Sequence, residues 1–374
     1  MLRLRPAAAG GRLGVNLSAS SQGDSGPSTA TPETIDEAAG MMANLPAGGD
    51  RIRIQGGGSH RGIGYPVTSD MILSTSRLDR VVAWEPDDLT VVVEAGVLVE
   101  ELEEMLASKG QTALLTEHAG TGTVGGAIAT ARSGWRRYRY GPIRDRVLQI
   151  TLVSSDGRVV TAGGRVVKNV TGYDIPRLAT GSLGAMGLIA RVCLKLWPVP
   201  QAAATVPVES AEEALDIAYR PLAVLETPDG AAVFLGGTPE EVAGQAAALG
   251  AEPAAGLNWP SHPSGAVRFS VRTPASSLRG IVDRLDPAWN YVAQFGVGEV
   301  MVATDEVALE ELEEMRRRAE SLGGALVMLD APAPMVRAFD PWGTPPPSME
   351  IQRRIVNLFD PGRRINRGIL PGRI

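Results

Sequence analysis

The sequence predicts an α+β protein with more than one domain. Its 374 residues exceed the ~100–200 that are typical of one domain. Short strand and helix patterns are interspersed without a regular strand–helix alternation, which argues against a doubly wound α/β sheet. In the C-terminal half, residues 266–330 follow the order strand, helix, strand, strand, helix, strand, which is typical of a ferredoxin-like split βαβ unit.

The first domain is expected to follow an N-terminal arm. Residues 14–32 are rich in Ser, Gly and Thr and hold almost no apolar side chains, so residues 1–32 are predicted to be flexible and order to begin near Thr34. From there, apolar spacing and turn residues predict a helix in 35–45, strands in 51–55 and 71–75, two strands in 81–97, a helix in 99–110, a hairpin in 147–163 and a strand in 187–198.

The segment PVPQAAA (198–204) predicts a domain boundary. It separates a first domain, residues 33–200, from a smaller second domain, residues 201–335. The remaining residues, 336–374, start in a Pro-rich segment and include a helix in MEIQRRIVNLF that stops at Asp360-Pro361-Gly362.

The composition argues against several classes of protein. The formal charge is −6 and the isoelectric point about 5.3, whereas a nucleic-acid-binding protein needs a basic face. The single cysteine, Cys193, provides neither an internal disulfide nor the ligands of an iron–sulfur cluster. No apolar run approaches the ~20 residues of a membrane helix, and the N-terminus lacks the apolar core of a secretory signal. We therefore expect a soluble protein with no transmembrane segment, located by default in the cytoplasm.

The histidines limit the possible mechanisms. The chain has only His60, His118 and His262, which are too widely spaced for a dedicated metal site. The G-x-S-x-G motif of a serine nucleophile is also absent. Any catalysis is therefore expected to depend on a bound organic cofactor, and no metal site is predicted.

A glycine-rich loop, GGGSHRGIG (56–64), directly follows a predicted strand. Its five glycines in nine positions allow successive backbone N–H groups to converge on one concavity, and such a nest binds phosphates. A long glycine turn between two strands explains the pattern equally well.

A second glycine cluster, GTGTVG (120–125), satisfies the dinucleotide-binding pattern G-x-G-x-x-G. The Rossmann interpretation is rejected, because no strand leads straight into Gly120 and no ribose-binding acid follows at the required spacing. The small residues of GTVGGAIATARSG (122–134) instead favour close approach of a flat ligand or, equally, tight packing of a helix on a sheet.

Six arginines between Arg132 and Arg146 are interleaved with Trp135, Tyr138 and Tyr140. Guanidinium groups suit phosphates or carboxylates, and the aromatic residues suggest nucleic acid. A solvated surface is the third interpretation, and the acidic chain makes nucleic acid the weakest of the three.

Taken in order, these motifs resemble the FAD-binding oxidoreductases of the vanillyl-alcohol-oxidase type. The motifs are GGGSHRGIG, GTVGGAIATARSG, YGPIRDRVLQITLVSSDGRVV, KNVTGYDIPRLATGSLGAMGLIARVCLKLWP and FDPGRRINRGIL. The stretch KNVTGYDIPRLATGS (168–182) looks most like the smaller FAD-binding subunit of bacterial glycolate oxidase. The resemblance covers residues 33–200 and 355–371. It implies a two-subdomain FAD-binding fold, a small ferredoxin-like cap, and a C-terminal segment that returns to the FAD-binding domain.

The resemblance also implies roles for individual residues. The glycine loop of the family binds the FAD diphosphate, the TVGG segment lines the flavin, and a strand start meets the adenine. The implied cofactor-binding residues are Gly56, Gly57, Gly58, Ser59, His60 and Gly62 for the diphosphate, Thr123, Gly125, Gly126, Thr130 and Gly134 for the flavin, Gly187 and Ile189 for the adenine, and Asn366 near the flavin ring. Some members attach FAD covalently through a histidine after a Gly-Gly pair. Ser59 occupies that place here, so non-covalent FAD is expected.

A flavin that accepts a hydride needs a nearby base for the hydroxyl proton of its substrate. Tyr173 and His118 are the candidate catalytic residues, with a structural tyrosine and a solvated histidine as the alternatives. The His-rich metal and substrate motif that the large glycolate oxidase subunit carries is absent.

The resemblance implies an FAD-binding subunit of a glycolate (2-hydroxy-acid) oxidase complex. Its partners would be the larger FAD-binding subunit and an iron–sulfur subunit, with any membrane association arising through them. Two alternatives remain open: a stand-alone FAD oxidase of another small hydroxy acid or alcohol, and a non-catalytic scaffold subunit.

Overall fold

The computed structural model of the chain describes residues 27–44, 51–115, 122–165 and 172–374. In the described part of the first domain, the helices are α1 (Ile35–Ala43), α2 (Val99–Ala107), α3 (Val124–Thr130), α4 (Arg137–Tyr140) and α5 (Ile175–Ala179). The strands of this part are β1 (Ser28–Ala30), β2 (Ile52–Gln55), β3 (Met71–Ser74), β4 (Val81–Glu85), β5 (Thr90–Glu94), β6 (Gln111–Thr112), β7 (Val147–Val153), β8 (Val159–Gly163), β9 (Leu188–Lys195) and β10 (Trp197–Pro198).

Two sheets form the body of the first domain. One is parallel, with the strand order β1-β3-β2, and the other is antiparallel, with the order β4-β5-β9-β7-β8. Strand β9 contributes to two apolar cores: Ile189 and Leu194 pack with α2 and α3, whereas Leu188 and Ala190 pack with α1 and the parallel sheet. The first domain therefore consists of two subdomains that meet along β9.

The expected start of the ordered chain is corrected by β1. Ser28–Ala30 lies within the segment predicted as a flexible arm, yet it pairs in parallel with Met71–Leu73. A three-residue strand of Ser, Thr and Ala has no apolar alternation that would reveal it. The rest of the predicted arm, residues 1–26, lies outside the described residues.

The second domain, which we call the cap, is built on one antiparallel sheet of eight strands. Its strands are β11 (Ala202–Val208), β12 (Ala223–Thr227), β13 (Gly230–Gly237), β14 (Ala254–Ala255), β15 (Val267–Arg272), β16 (Asn290–Phe295), β17 (Glu299–Thr304) and β18 (Ala325–Asp330). Its helices are α6 (Ala211–Ile217), α7 (Pro239–Leu249), α8 (Arg279–Val282) and α9 (Leu309–Ser321).

The cap contains two split βαβ units joined edge to edge. The strand order β14-β11-β13-β12-β16-β17-β15-β18 shows the same arrangement in each half, with helices after the first and third strands. The edge strands β12 and β16 pair antiparallel and join the halves. The unit predicted over residues 266–330 is confirmed. Its companion was missed because β14 has only two residues and β11 is rich in alanine.

The C-terminal segment runs from the cap back to the first domain. It carries α10 (Ala333–Ala338) and α11 (Met349–Phe359), and then Ile365 forms a parallel bridge with Ile52 of β2. The buried side chain of Asn366 accepts from the Ile54 amide at 3.0 Å and donates to the Leu183 carbonyl at 2.7 Å. One side chain thus ties β2, the loop before β9 and the C-terminal segment together.

None of the helices in the described ranges has the length and apolarity needed to cross a membrane.

Replacing Asn366 with alanine tests this tie. We expect Asn366→Ala to lower the free energy of unfolding by about 2–4 kcal/mol, because two buried backbone groups lose their partners. Asn366 also has a φ of +43°, which alanine adopts less readily. Urea unfolding followed by circular dichroism measures the change. The matched control is Asn357→Ala on the exposed face of α11, with an expected change within about 0.5 kcal/mol. Equal stability of the two variants would contradict the assigned role.

Candidate functional site

A cleft lies where the two subdomains of the first domain meet. Its walls come from the end of β2 and the glycine loop, from α3, from the start of β9 and from the C-terminal segment. The lining includes Arg53, Gly56, Gly57, Gly58, Ser59, His60, Arg61, Thr75, Ala95, Thr123, Gly125, Gly126, Thr130, Gly184, Gly187, Ile189 and Asn366.

The glycine loop presents backbone donors that the protein itself does not use. Among the residues that the structure describes, none accepts a hydrogen bond from the amides of Gly57, Gly58 or Ser59. Gly58 has a φ of +74°, a conformation that permits neighbouring N–H groups to converge. Unused amides beside a cleft are a strong site for an anion, so the nest interpretation of this loop is favoured over a simple turn.

Two arginines that the sequence analysis did not single out stand beside this loop. Arg53 on β2 and Arg61 both line the cleft, and neither forms an ion pair within the described ranges. Burial lowers the pKa of Arg53, and the like charge of Arg61 lowers it further. Two neighbouring uncompensated cations, together with three unused amides, fit a diphosphate. In the sequence, Arg53 alternates with Ile52, which is buried in the structure. This alternation was the signal that could have placed Arg53 on the face of β2 beside the cleft.

The start of α3 forms the opposite wall through close packing. A Cβ on Gly56 would lie 2.2 Å from Thr123 Oγ1, and one on Gly125 would lie 2.6 Å from the Cβ of Ala95. The first helical amides are already bonded: Gly125 donates to the Ala95 carbonyl at 2.8 Å, and Gly126 to Thr123 Oγ1 at 3.2 Å. These glycines therefore allow the helix and the sheet to approach closely. Because the first amides of α3 already have acceptors, the start of this helix forms a wall of the cleft and does not form an anion nest.

Twelve of the predicted cofactor-binding residues line the cleft: Gly56, Gly57, Gly58, Ser59, His60, Thr123, Gly125, Gly126, Thr130, Gly187, Ile189 and Asn366. Gly62 and Gly134 do not. A Cβ on Gly62 would lie 2.2 Å from Oδ1 of Asp330 at the end of β18, so this glycine packs against the cap. Gly134 lies in the turn before α4, where its carbonyl accepts from the Arg137 amide.

Tyr173, one of the two candidate catalytic residues, does not line the cleft. Tyr173 is 87% exposed and lines neither this cleft nor the cavity between the first domain and the cap. Its position gives no support to a role as a base. His118 lies outside the described residues.

A separate cavity of about 280 Å³ lies between the first domain and the inner face of the cap sheet. The first domain contributes Ile63, Thr130, Ala131, Arg132, Ser133, Arg137, Gly181 and Leu183, and the cap and its C-terminal extension contribute Arg272, Gln294, Glu299, Met301, Val327, Leu329 and Trp342. Three arginines against one glutamate give the lining a net positive charge. Thr130, Ile63 and Leu183 line both the cleft and the cavity, so the two are neighbours.

Glu299 is the buried carboxylate of this cavity. It accepts from Arg272 Nε at 3.0 Å, from Arg137 Nη1 at 3.2 Å and from the Ser270 hydroxyl at 2.8 Å. Burial alone would raise the pKa of Glu299, but Arg272, Ser270 and Arg137 outweigh it and lower the pKa below its ordinary value. Glu299 is therefore ionised, and it compensates Arg137 and Arg272.

The segment rich in arginine and aromatic residues joins the first domain to the cap. Trp135 and Tyr140 pack in an apolar cluster with Phe234 and Met301 of the cap sheet. The four-residue helix α4 also meets the turn between β16 and β17, where a Cβ on Gly296 would lie 2.4 Å from the Tyr138 ring. The aromatic residues thus form a domain contact, which removes the reason to associate them with nucleic acid.

The arginines of this segment have different roles. Arg132 and Arg137 line the cavity, and Arg144 is exposed beside Asp145. Arg146 is buried and donates to the carbonyls of Leu114 and Gly141, both at 2.9 Å. The solvated-surface interpretation therefore fits Arg144, whereas the anion-site interpretation stays a prediction for Arg132 and Arg137.

His60 lies close to both sites. Its Nδ1 is 2.9 Å from the Ser59 hydroxyl, and burial followed by the charges of Arg132 and Arg268 lowers the pKa of His60 to about 4. The imidazole is therefore neutral near pH 7.

Comparison with known proteins identifies the cofactor of this chain. Residues 27–163 match the family described as FAD binding domain. The glycolate oxidase subunit GlcE of Escherichia coli is 35% identical over 152 residues, which cover 40% of this chain and 43% of that protein. The D-lactate dehydrogenase of Archaeoglobus fulgidus is 32% identical over 148 residues, which cover 39% of this chain and 33% of that enzyme. These curated relatives are thus matched over less than half of their length.

A solved structure of alkyldihydroxyacetonephosphate synthase shows the same fold. It covers 90% of this chain and 75% of its own length with a TM-score of 0.61 and 17% identity. The resemblance to FAD-binding oxidoreductases and the predicted fold class are confirmed. The chain contains an FAD-binding domain, FAD is its cofactor, and the donors of the glycine loop fit the FAD diphosphate.

Removing one cation beside the glycine loop tests this fit. We expect Arg53→Met to weaken FAD binding by about 10- to 100-fold, because a charged hydrogen bond to phosphate is lost. Quenching of flavin fluorescence on titration of FAD-free protein measures the affinity. Arg51→Met is the matched control, since Arg51 borders the same strand but pairs with Asp70 at the surface. If Arg51→Met and Arg53→Met weaken binding equally, the diphosphate does not lie beside Arg53.

Proposed function

We propose that this chain is an FAD-binding subunit that oxidises a small 2-hydroxy acid such as glycolate. The observation that carries the proposal is the cavity between the first domain and the cap, which shares walls with the cofactor cleft and carries a net positive charge. An anionic substrate would be favoured there over a neutral alcohol. Relatives named for glycolate oxidase and for D-lactate dehydrogenase support the same substrate class.

The residues of the chain supply binding and enclosure. When bound, FAD would accept the two electrons that leave the hydroxyl-bearing carbon of the substrate. The amides of Gly57, Gly58 and Ser59, together with Arg53 and Arg61, would hold its diphosphate. The cap sheet and Trp342 would exclude water from the cavity, and Glu299 would keep Arg137 and Arg272 in place.

The lining of the cavity favours turnover by the chain itself. The second split βαβ unit of the cap, β15 to β18, supplies the sheet residues that line the cavity, and three of the lining residues are arginines. A cavity with a charged lining gives less support to a purely structural subunit.

We further propose that the electrons pass to partner subunits. Similarity to GlcE supports membership of a glycolate oxidase complex, with a larger FAD-binding subunit. Cys193 is the only cysteine and is buried, so an iron–sulfur centre would belong to another subunit. Such a complex would lie in the cytoplasm and meet the membrane only through its partners.

Anaerobic spectroscopy tests the proposed oxidation. The purified chain is loaded with FAD and mixed with glycolate, and we expect the flavin absorbance near 450 nm to bleach. Acetate is the control, because it has the carboxylate but no hydroxyl to oxidise, and it should leave the spectrum unchanged. Persistence of the flavin bands with both glycolate and D-lactate would rule out oxidation of small 2-hydroxy acids by this chain.

A further inference from the structure

The cavity under the cap contains one arginine, Arg132, that forms no ion pair within the described part of the chain. Arg137 and Arg272 are both bound to Glu299, whereas Arg132 forms no ion pair with any residue that the structure describes. Its Nη2 lies 3.0 Å from the thioether sulfur of Met301, which is a weak acceptor. An enclosed guanidinium with no carboxylate partner is a binding group for an anionic ligand.

The same cavity contains an acceptor with no donor. Gln294 on β16 is only 2% exposed, and its Oε1 atom has no hydrogen-bond partner among the described residues. Gln294 lies opposite Glu299 in the β16–β17 pairing, so the backbone places the two side chains on the same face of the sheet. A buried carbonyl oxygen without a donor costs free energy unless a ligand supplies an O–H or N–H group.

We propose that Arg132 and Gln294 together form the substrate subsite, in which Arg132 binds the carboxylate and Gln294 Oε1 accepts from the adjacent hydroxyl. The inference rests on the proposed oxidation of a 2-hydroxy acid and names the residues that select it. A carboxylate beside a hydroxyl is the smallest group that satisfies both an uncompensated cation and an acceptor without a donor.

The remaining walls determine the rest of the ligand. Met301, Val327, Leu329 and Trp342 present mainly apolar surface, and the cavity holds about 280 Å³. The preferred ligand is therefore a short monocarboxylate with a hydrogen or a small apolar group on its hydroxyl-bearing carbon. The carbonyl product, an aldehyde or a ketone, has lost the hydroxyl donor, so Gln294 favours substrate over product.

Binding of three related ligands tests the two residues separately. Glycolate has both groups, acetate lacks the hydroxyl, and glycolamide lacks the charge. The FAD-loaded protein is first reduced with dithionite under nitrogen, so that glycolate cannot be oxidised, and each ligand is then titrated by calorimetry. In the unmodified chain, glycolate should bind at least about tenfold more tightly than either analogue.

The Arg132→Met variant removes the charge and keeps a side chain of similar length. Affinity for glycolate and for acetate should fall about 10- to 100-fold, with little change for glycolamide. Arg132→Lys restores the charge without the planar fork and should recover part of the loss. Arg144→Met is the matched control in the same segment, because Arg144 is exposed outside the cavity.

The Gln294→Met variant removes the acceptor and keeps the volume. It should lower the affinity for glycolate to the level of acetate, with the affinity for acetate unchanged. Glycolate affinity within about twofold of the unmodified chain in Arg132→Met would overturn the proposal. So would an equal loss of all three ligands in both the Met and Lys variants at residue 132, which would indicate a collapsed cavity.

The titration is independent of turnover. If glycolate binds through Arg132 but fails to bleach the oxidised flavin, the subsite stands and the proposed oxidation is wrong. If glycolate bleaches the flavin equally well in Arg132→Met, the oxidation stands and the subsite is wrong.

Discussion

The close backbone approach around the glycine loop is the constraint on which both sites depend. On one side, Gly56 fits directly against the side chain of Thr123 at the start of α3, and on the other, Gly62 fits against Asp330 of the cap. A single added carbon at either position would collide. The loop therefore connects the two subdomains and the cap, and residues at its start line the cofactor cleft. Asn366 completes the arrangement by fixing β2 to the loop before β9.

Uncompensated positive charge is distributed unevenly around the two sites. Most arginines around the sites have carboxylate partners: Arg272 and Arg137 bind Glu299, and Arg268 binds Asp330 at 2.6 Å. Arg53, Arg61 and Arg132 have none within the described part of the chain. A partly buried site with uncompensated cations binds anions favourably. When the anion leaves, the unpaired positive charges destabilise the folded protein. Around the two sites, these cations lie beside the glycine loop and in the cap cavity, where the proposed FAD-dependent oxidation of a hydroxy acid would need to bind negative charge. The neutral His60, which lines the cofactor cleft, adds no further positive charge near pH 7.

Sequence motifs predicted most of the residues that line the cofactor cleft. The residues that line the cavity could be identified only from the tertiary structure. The glycine loop could be recognised because it follows a strand of alternating Ile and Arg, and twelve residues named from motifs line the cleft. Gly62 and Gly134 belong to the same motifs but serve packing, a distinction that needs the neighbouring chain. Glu299 and Gln294 come from adjacent strands of the cap and face residues some 160 positions earlier, so no spacing rule brings them together. The split βαβ unit formed by β11 to β14 was missed in the sequence because its strands are rich in small residues and one of them has only two residues. Tyr173 was predicted as a candidate catalytic residue from its motif, yet its side chain is exposed at the surface.

The central claim is that this chain alone forms a complete, non-covalent FAD site. The most direct test is to precipitate the purified, FAD-reconstituted chain with acid and to quantify flavin in the supernatant and in the washed pellet. We expect about one FAD per chain, all of it released into the supernatant, because the amides and arginines of the cleft would hold the diphosphate without a covalent bond and Ser59 occupies the position at which some relatives would carry the attached histidine. Flavin retained in the pellet would contradict the non-covalent site, and a chain that takes up no flavin would contradict the site itself.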